Sequence, residues 1–493
     1  MKIETSDISH KLENLLEELS NSENLVNPFF RISKGTPEQI RKYSFLNTKF
    51  LRAITLIQFV IGMFTGVLTV ICMVICSLML VRQYNLFKLQ SRQRQIIFLS
   101  HGIGQNITCK DGDQFFWKMP EYLQNEGKKV SIIYTNHNVF GFTSNSKFIQ
   151  SKPSDVERFL IPKFLHPKEN LEYVKKTSAL CFKSLFLGMA KIKKEPTESA
   201  LLLKGAAYFL KRATYSNYLL SKRVQDLVAM DGVKTVVLTF EGHSYEQLII
   251  DETLRKSPKI KIVLYQHSPI VKDHFGISAF LQKTNHNLHI ITTGKYYKKL
   301  FEKLSSKHFI EVLGTDKSNV DKIEMILNEP PNILFVPEGT IYATINMLNL
   351  ISSMLKENLD YSYTLRLHPN LKAGFTLFWR IRKLKSEQNF TVSKTKLYED
   401  IAAARYVIYR SSAVGIESLK SSAIPVFYGN KQYSGLNVLG HLNNIGPSLF
   451  SIREAINYFK YPSISSQTNR KNAIFNEMFE NIDYKKLNAL FHS

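Results

Sequence analysis

Nine short apolar runs, separated by helical stretches, constrain this chain more than any other feature. IIFLS (96–100), VSIIYT (130–135), TVVLTF (235–240), KIVLYQ (261–266) and HIITTG (289–294) make one series. NILFVP (332–337), SYTLRLHP (362–369), ARYVIYRS (404–411) and IPVFYG (424–429) make a second, and Pro330-Pro331 stands between them. Runs this short and this continuously apolar read as parallel strands covered by helices on both faces. Two sets of alternating strands and helices predict an α/β chain with two doubly wound domains. The first covers 95–320 and the second 331–475, with a C-terminal helix over 476–493.

Ahead of these domains, Ala53–Val81 (AITLIQFVIGMFTGVLTVICMVICSLMLV) carries no charge over 29 residues. About 20 apolar residues in a helix cross a ~30 Å hydrocarbon core, so the run predicts a single transmembrane helix with length to tilt. It is too long, and begins too late, for a cleaved signal peptide. Its two central glycines also leave a re-entrant hairpin open. Lys34, Arg41, Lys42, Lys49 and Arg52 precede it and Arg82, Lys88, Arg92 and Arg94 follow, a balance that sets no orientation. Gly62 and Gly66 form a GxxxG suited to close helix approach, from which a homodimer contact is expected. Residues 1–52 begin acidic, with Leu12, Leu15, Leu16 and Leu19 at the spacing of a short amphipathic helix. Gln83–Gln95 is a polar, basic connector.

Charge narrows the partner. With 65 Lys and Arg against 41 Asp and Glu, the net +24 calls for something anionic: nucleic acid, an acidic leaflet or a phosphorylated substrate. Four cysteines (Cys72, Cys76, Cys109, Cys181) cannot frame so long a chain, and none sits in a CxxC or Cys/His spacing, which excludes a disulfide module and structural zinc. A basic insert, 152–223, holds 15 Lys and Arg against 6 acids, interleaved with SLFLGMA (184–190) and ALLLKGAAYFL (200–210). Such a region either docks on anionic lipid or merely solvates its outer face.

Doubly wound sheets bind ligands at the carboxyl ends of their strands. Those ends read Ser100-His101-Gly102, Phe240-Glu241-Gly242-His243, Gln266-His267, Pro337-Glu338-Gly339, Leu367-His368-Pro369 and Arg410-Ser411-Ser412. His368, with its backbone fixed by Pro369, can be aimed at a phosphate. Ser411-Ser412 before a small-residue helix start offers hydroxyls and free backbone N–H groups for the same anion, and Glu417 an acceptor for ribose hydroxyls. Glu241 is placed to take a proton from an attacking hydroxyl as general base, with His243 and His267 nearby as alternatives and His101-Gly102 as acceptor or support residues. The bland readings are an N-cap at the serines and a salt bridge or helix cap at Glu241.

Glu241-Gly242, His368-Pro369 and Ser411-Ser412, in that order, resemble the acid-Gly, HP and SS/ST motifs of bacterial sialyltransferases and polysialyltransferases. That resemblance implies the GT-B fold of two facing Rossmann-like domains, an acidic general base, and His and Ser motifs on a CMP phosphate. The family often has two acids before the glycine; Phe240 replaces the first here, and Glu338-Gly339 is a rival for the acidic motif. The HP and SS pair is also similar to that of CDP-glycerol glycerophosphotransferases, which carry Asp-Tyr where this chain has Tyr409-Arg410. The similarity spans residues 235–430.

No GxGxxG or GxxxxGK[ST] is present, nor a DxD-like pair at a strand end. The expectation is therefore a membrane-anchored glycosyltransferase without metal or cofactor, passing a sugar from a nucleotide-sugar donor to a glycan or glycolipid. Its domains would face the cytosol, where such donors are made. Sequons at Asn106 and Asn389 fall where a folded α/β domain would tolerate a glycan poorly. The competing class is a non-catalytic, membrane-tethered polyanion-binding protein; no nucleic-acid module is recognisable.

Overall fold

The computed structural model describes residues 94–102, 113–136, 156–161 and 165–491 with short internal breaks (the longest 324–329, 432–435 and 463–467), plus scattered positions from 57 to 75. Two wholly parallel sheets organise it. The first holds β1 (Ile96–Gly102), β2 (Val130–Asn136), β3 (Glu157–Leu160), β4 (Thr235–Thr239), β5 (Lys261–Gln266), β6 (His289–Thr292) and β7 (Phe309–Val312), ordered β3-β2-β1-β4-β5-β6-β7. The second holds β8 (Asn332–Val336), β9 (Ser362–Leu365), β10 (Phe390–Val392), β11 (Ala404–Tyr409), β12 (Ile424–Tyr428) and β13 (Ser448–Leu449), ordered β10-β9-β8-β11-β12-β13. Each order runs outward, returns to its first strand and runs the other way, so each sheet has a switch point, at β1/β4 and at β8/β11. The fold is α/β, with two wholly parallel, doubly wound sheets.

The nine expected strands are the nine interior strands. β4 and β8 are buried at every residue, and successive side chains go to opposite faces. Ile97, Leu99, Val236 and Leu238 fill one layer, Ile96, Phe98 and Val237 the other. Each such side chain stabilises by about 1.5–3 kcal/mol relative to exposure. Tyr409, Ile416 and Phe427 of the second unit share one apolar cluster with Ile270, Val271 and Ile277 of the first. After the second sheet the chain returns to the first unit. Glu480 N–H donates to the Thr293 carbonyl and Asp483 N–H to that of Leu313, both at 2.8 Å. Helix Tyr484–Leu490 lies within the expected C-terminal helix over 476–493, and helix Thr468–Met478 precedes it, ending at the start of that span.

The basic stretch 152–223 is not a separate appendage. Its β3 pairs with β2 to form the sheet edge, followed by helices Pro167–Lys191, Pro196–Phe209 and Arg212–Val228. Several of its cations are engaged within the fold: Arg158 with Glu121, Lys222 with Glu172, Lys191 with Glu198, and buried Arg223 with Glu169 and Asp226.

Among the described residues no helix is long and apolar enough to cross a membrane, and most of 53–81 lies outside them. The described positions there are helical. Gly62 and Gly66 are buried, and a Cβ on Gly62 would meet the Ala207 Cβ at 3.2 Å. Met63 Sδ lies 3.4 Å from Cys181 Sγ. Gly62 thus comes close to a helix of its own chain, and the expected Gly62/Gly66 dimer contact is not shown. Val60, Ile61, Phe64, Val67 and Leu68 remain exposed. The leucines of the N-terminal tail and Asn106 lie outside the described residues. Asn389 is exposed in the turn before edge strand β10, where the sequence suggests a position less open to solvent.

Candidate active site

The carboxyl ends of β1, β4 and β5 bring four of the expected residues together. Glu241 follows β4 and divides its carboxylate between two imidazoles: Oε2 is 2.9 Å from His243 Nε2 and Oε1 is 3.3 Å from His267 Nε2. Gly242 makes the turn, with φ +74°, and its missing Cβ would lie 2.7 Å from the Ile277 backbone nitrogen. Only glycine accommodates both the left-handed backbone and that approach.

Beneath this turn lies Glu246, which the sequence reading overlooked. It occupies the third position of helix Ser244–Lys256, and its carboxylate accepts from Glu241 N–H at 2.9 Å and His243 N–H at 2.8 Å. Burial pushes its pKa up to about 7, opposed by the neighbouring His243. Tyr245, also overlooked and fully buried, places its hydroxyl 2.7 Å from His101 Nε2 and donates to Glu246 at 3.3 Å. His101 at the end of β1 is further fixed by Thr135 Oγ1 at 2.8 Å and Thr239 Oγ1 at 3.1 Å. Phe115 stands edge-on to both His101 and His267, held by buried Asp113, which accepts from its N–H at 2.8 Å and from Ser100 Oγ. Gly102 ends β1 without touching this network in any described contact. The signal for Glu246 was present as a capping-box spacing after His243.

The second sheet presents its own group. Glu338 follows β8, and its Oε1 lies 3.6 Å from Nη1 of Arg410, which ends β11 almost fully buried. Arg410 sits 5.6 Å over the Tyr342 ring. Gly339 faces His368: a Cβ there would lie 2.9 Å from His368 Nδ1. Burial lowers the pKa of His368, favouring the neutral ring. Pro369 lies outside the described residues. The expected helix after Ser411-Ser412 is only one turn, Val414–Glu417, passing into a 3-10 turn, and a Cβ on Gly415 would lie 2.7 Å from the Tyr409 ring. Ser412 Oγ accepts from Val414 N–H at 3.3 Å, one residue ahead of the helix N-cap at Ala413, while Ser411 and Glu417 are half-buried beside it. A cradle of aligned helix dipoles is therefore not what this loop offers.

A cavity of about 160 Å³ opens beside these groups, walled by Tyr342, Asn346, Met347, Arg410, Tyr428 and Phe450. None of the expected donor residues is among its lining; Glu338 reaches it through Arg410. Arg410 was read only as a departure from an Asp-Tyr motif, yet it is the one buried cation at this strand end. Phe240 after β4, Ile277 of the helix after β5 and Ile416 after β11 all belong to the shared interdomain cluster.

No protein-family model matches the chain, and no curated protein matches it. Solved structures do. It is similar to the lipopolysaccharide outer core galactosyltransferase WaaB, with 9% identity and a TM-score of 0.42 over 80% of this chain and 99% of that one. The wall teichoic acid polymerase TagF gives 11% and 0.40 over 86% and 96%. A UDP-GlcNAc 2-epimerase of Methanocaldococcus jannaschii with UDP-GlcNAc and UDP gives 10% and 0.43 over 80% and 98%. TM-scores this low decide nothing about chemistry.

Proposed function

We propose that this chain is a membrane-anchored, metal-independent glycosyltransferase that moves a sugar from a nucleotide-linked donor to a surface polysaccharide or glycolipid. The observation that carries the reading is the Glu241 carboxylate held between two imidazoles at one sheet's ligand-binding end. At the corresponding end of the other sheet lies a cavity walled by the buried Arg410. The acceptor hydroxyl would approach Glu241, which takes its proton as the oxygen attacks the sugar. The departing phosphate gains charge in the transition state, and Arg410 with His368 would meet it; a preorganised donor in such a place contributes about 2.7–4 kcal/mol. Glu241-Gly242, His368-Pro369 and Ser411-Ser412 favour a CMP-activated, sialic acid-like donor. The charge-free run 53–81 and the exposed apolar residues described within it favour membrane attachment, and a nucleotide-sugar donor made in the cytosol favours both domains on that side.

The HP and SS pair supports a second reading, glycerophosphoryl transfer from CDP-glycerol. Both donors release CMP, so the donor distinguishes them. The full chain in detergent is offered CMP-sialic acid, CDP-glycerol, UDP-sugars and GDP-sugars with a glycan acceptor. Acceptor-dependent consumption of CMP-sialic acid supports the proposal. Consumption of CDP-glycerol alone transfers it to the second reading. Turnover of none of them leaves the non-catalytic polyanion-binding protein.

A further inference from the structure

The second unit carries a surface that catalysis in the cleft does not use. Helix Phe375–Leu384 (FTLFWRIRKL) has a buried face, Leu377 and Leu384 with Ile381 half-buried, packed into the core of its domain. Its other face is aromatic and open to solvent: Phe375 is 78% exposed, Phe378 55% and Trp379 49%. The rings touch edge-on at 5.8 and 6.3 Å, and the Arg382 guanidinium lies 5.3 Å from the Trp379 ring. Three large aromatics clustered in water mark an interaction site rather than ordinary surface.

The charges beside them say what the site fits. Arg380, Arg382, Lys383 and Lys385 are exposed on the same short stretch, with Glu387 the acid next to them. A groove of about 540 Å³ runs between this helix and helix Ile341–Lys356. Lys356, Arg380 and Lys383 line it, against the single carboxylate of Glu387, with Asn349 and Ser352 as neutral partners. Protein interfaces deplete lysine and charge at their cores. Aromatic rings that enter the headgroup boundary beside Lys and Arg are instead the pattern of an interfacial helix.

We propose that helix Phe375–Leu384 is a second, peripheral docking element whose partner is an anionic bilayer. Phe375, Phe378 and Trp379 enter the headgroup–acyl boundary, and the Lys356/Arg380/Lys383 groove meets lipid phosphates. The inference stands apart from the cleft's chemistry and from the run at 53–81, which alone would bring the chain to vesicles.

Trp379 separates the two, because it reports on this helix alone. The full chain is placed in vesicles of phosphatidylcholine with or without one third phosphatidylglycerol, some containing doxyl-labelled lipid. The Trp379 signal is the part of the emission lost in Trp379→Phe. The expected result is strong quenching by doxyl lipid and protection from acrylamide in anionic vesicles, with neither in neutral ones. Raising salt to ~0.5 M should reverse both, because the Debye length shrinks to a few ångströms. Arg382→Glu with Lys383→Glu, at exposed positions, should weaken this lipid contact about tenfold or more. The salt titration of the unaltered chain makes the same test without any variant. Three results would overturn the proposal: Trp379 equally open to acrylamide in anionic vesicles; equal protection by inorganic phosphate without a bilayer; or protection that rises with protein concentration in detergent, which would mean a second copy covers the face.

Discussion

Glu241→Gln removes a proton acceptor while leaving the fold's own use of this residue intact. The structural bond here runs from the Glu241 backbone N–H to Glu246 at 2.9 Å, and an amide side chain keeps it. The carboxylate gives one oxygen to each imidazole, at 2.9 Å to His243 and 3.3 Å to His267. Glutamine retains one acceptor and one donor at those positions, so the loop keeps its shape. General base catalysis is typically worth ~10²–10⁴-fold, or about 3–5 kcal/mol of barrier. Turnover at saturating donor should fall by that factor, while donor affinity, read separately by equilibrium binding, stays within about twofold. Glu338→Gln is the companion: beside Arg410 it should alter donor affinity more than the chemical step. Near-normal turnover in Glu241→Gln, together with its loss in Glu338→Gln, would refute the assignment. The base would then be Glu338 or an imidazole such as His267.

Glu246 gives a pH signature. Its pKa rises from about 4.5 to about 7 on folding, so the native state holds that proton more tightly than the unfolded chain. Stability should therefore fall as pH climbs from about 4.5 to 7, by about 3 kcal/mol at most. Urea midpoints of Glu246→Gln should show that slope flattened, and an unchanged slope would place the titration elsewhere. Gly242→Ala sets a Cβ 2.7 Å from Ile277 N at a positive φ, and should lower stability by ~1–3 kcal/mol and turnover with it. An alanine variant that melts and turns over normally would show that this turn is not under tension.

Interior strands were legible because both their faces are buried, which leaves a continuous apolar run such as TVVLT in β4. The four strands that were not legible, β3, β7, β10 and β13, are the four sheet edges. ERFL and FIEV mix charge into the strand because an edge is partly solvated, and two residues suffice for β13. In the site, Glu241, His243 and His267 could be read from strand ends alone. Glu246 shows there only as a capping-box spacing after His243, and Tyr245 not at all, since a helix's buried polar residues look like any amphipathic pattern until their partners are known. At the serine pair the small residues announce a helix start but not its length, which is one turn, Val414–Glu417. Glycines at 62 and 66 likewise announce close packing without naming the partner.

Thermal unfolding of the full chain with CMP, CDP, UDP or GDP, beside His368→Ala under the same conditions, tests the central claim most directly. A nucleotide at a hundredfold its Kd adds about 2.7 kcal/mol to the folded state that binds it. The account predicts that CMP raises the melting temperature, that UDP and GDP raise it less, and that His368→Ala melts normally alone but loses the CMP shift. No response to any nucleotide, or a CMP shift unchanged in His368→Ala, would contradict a donor site at the carboxyl ends of the second sheet.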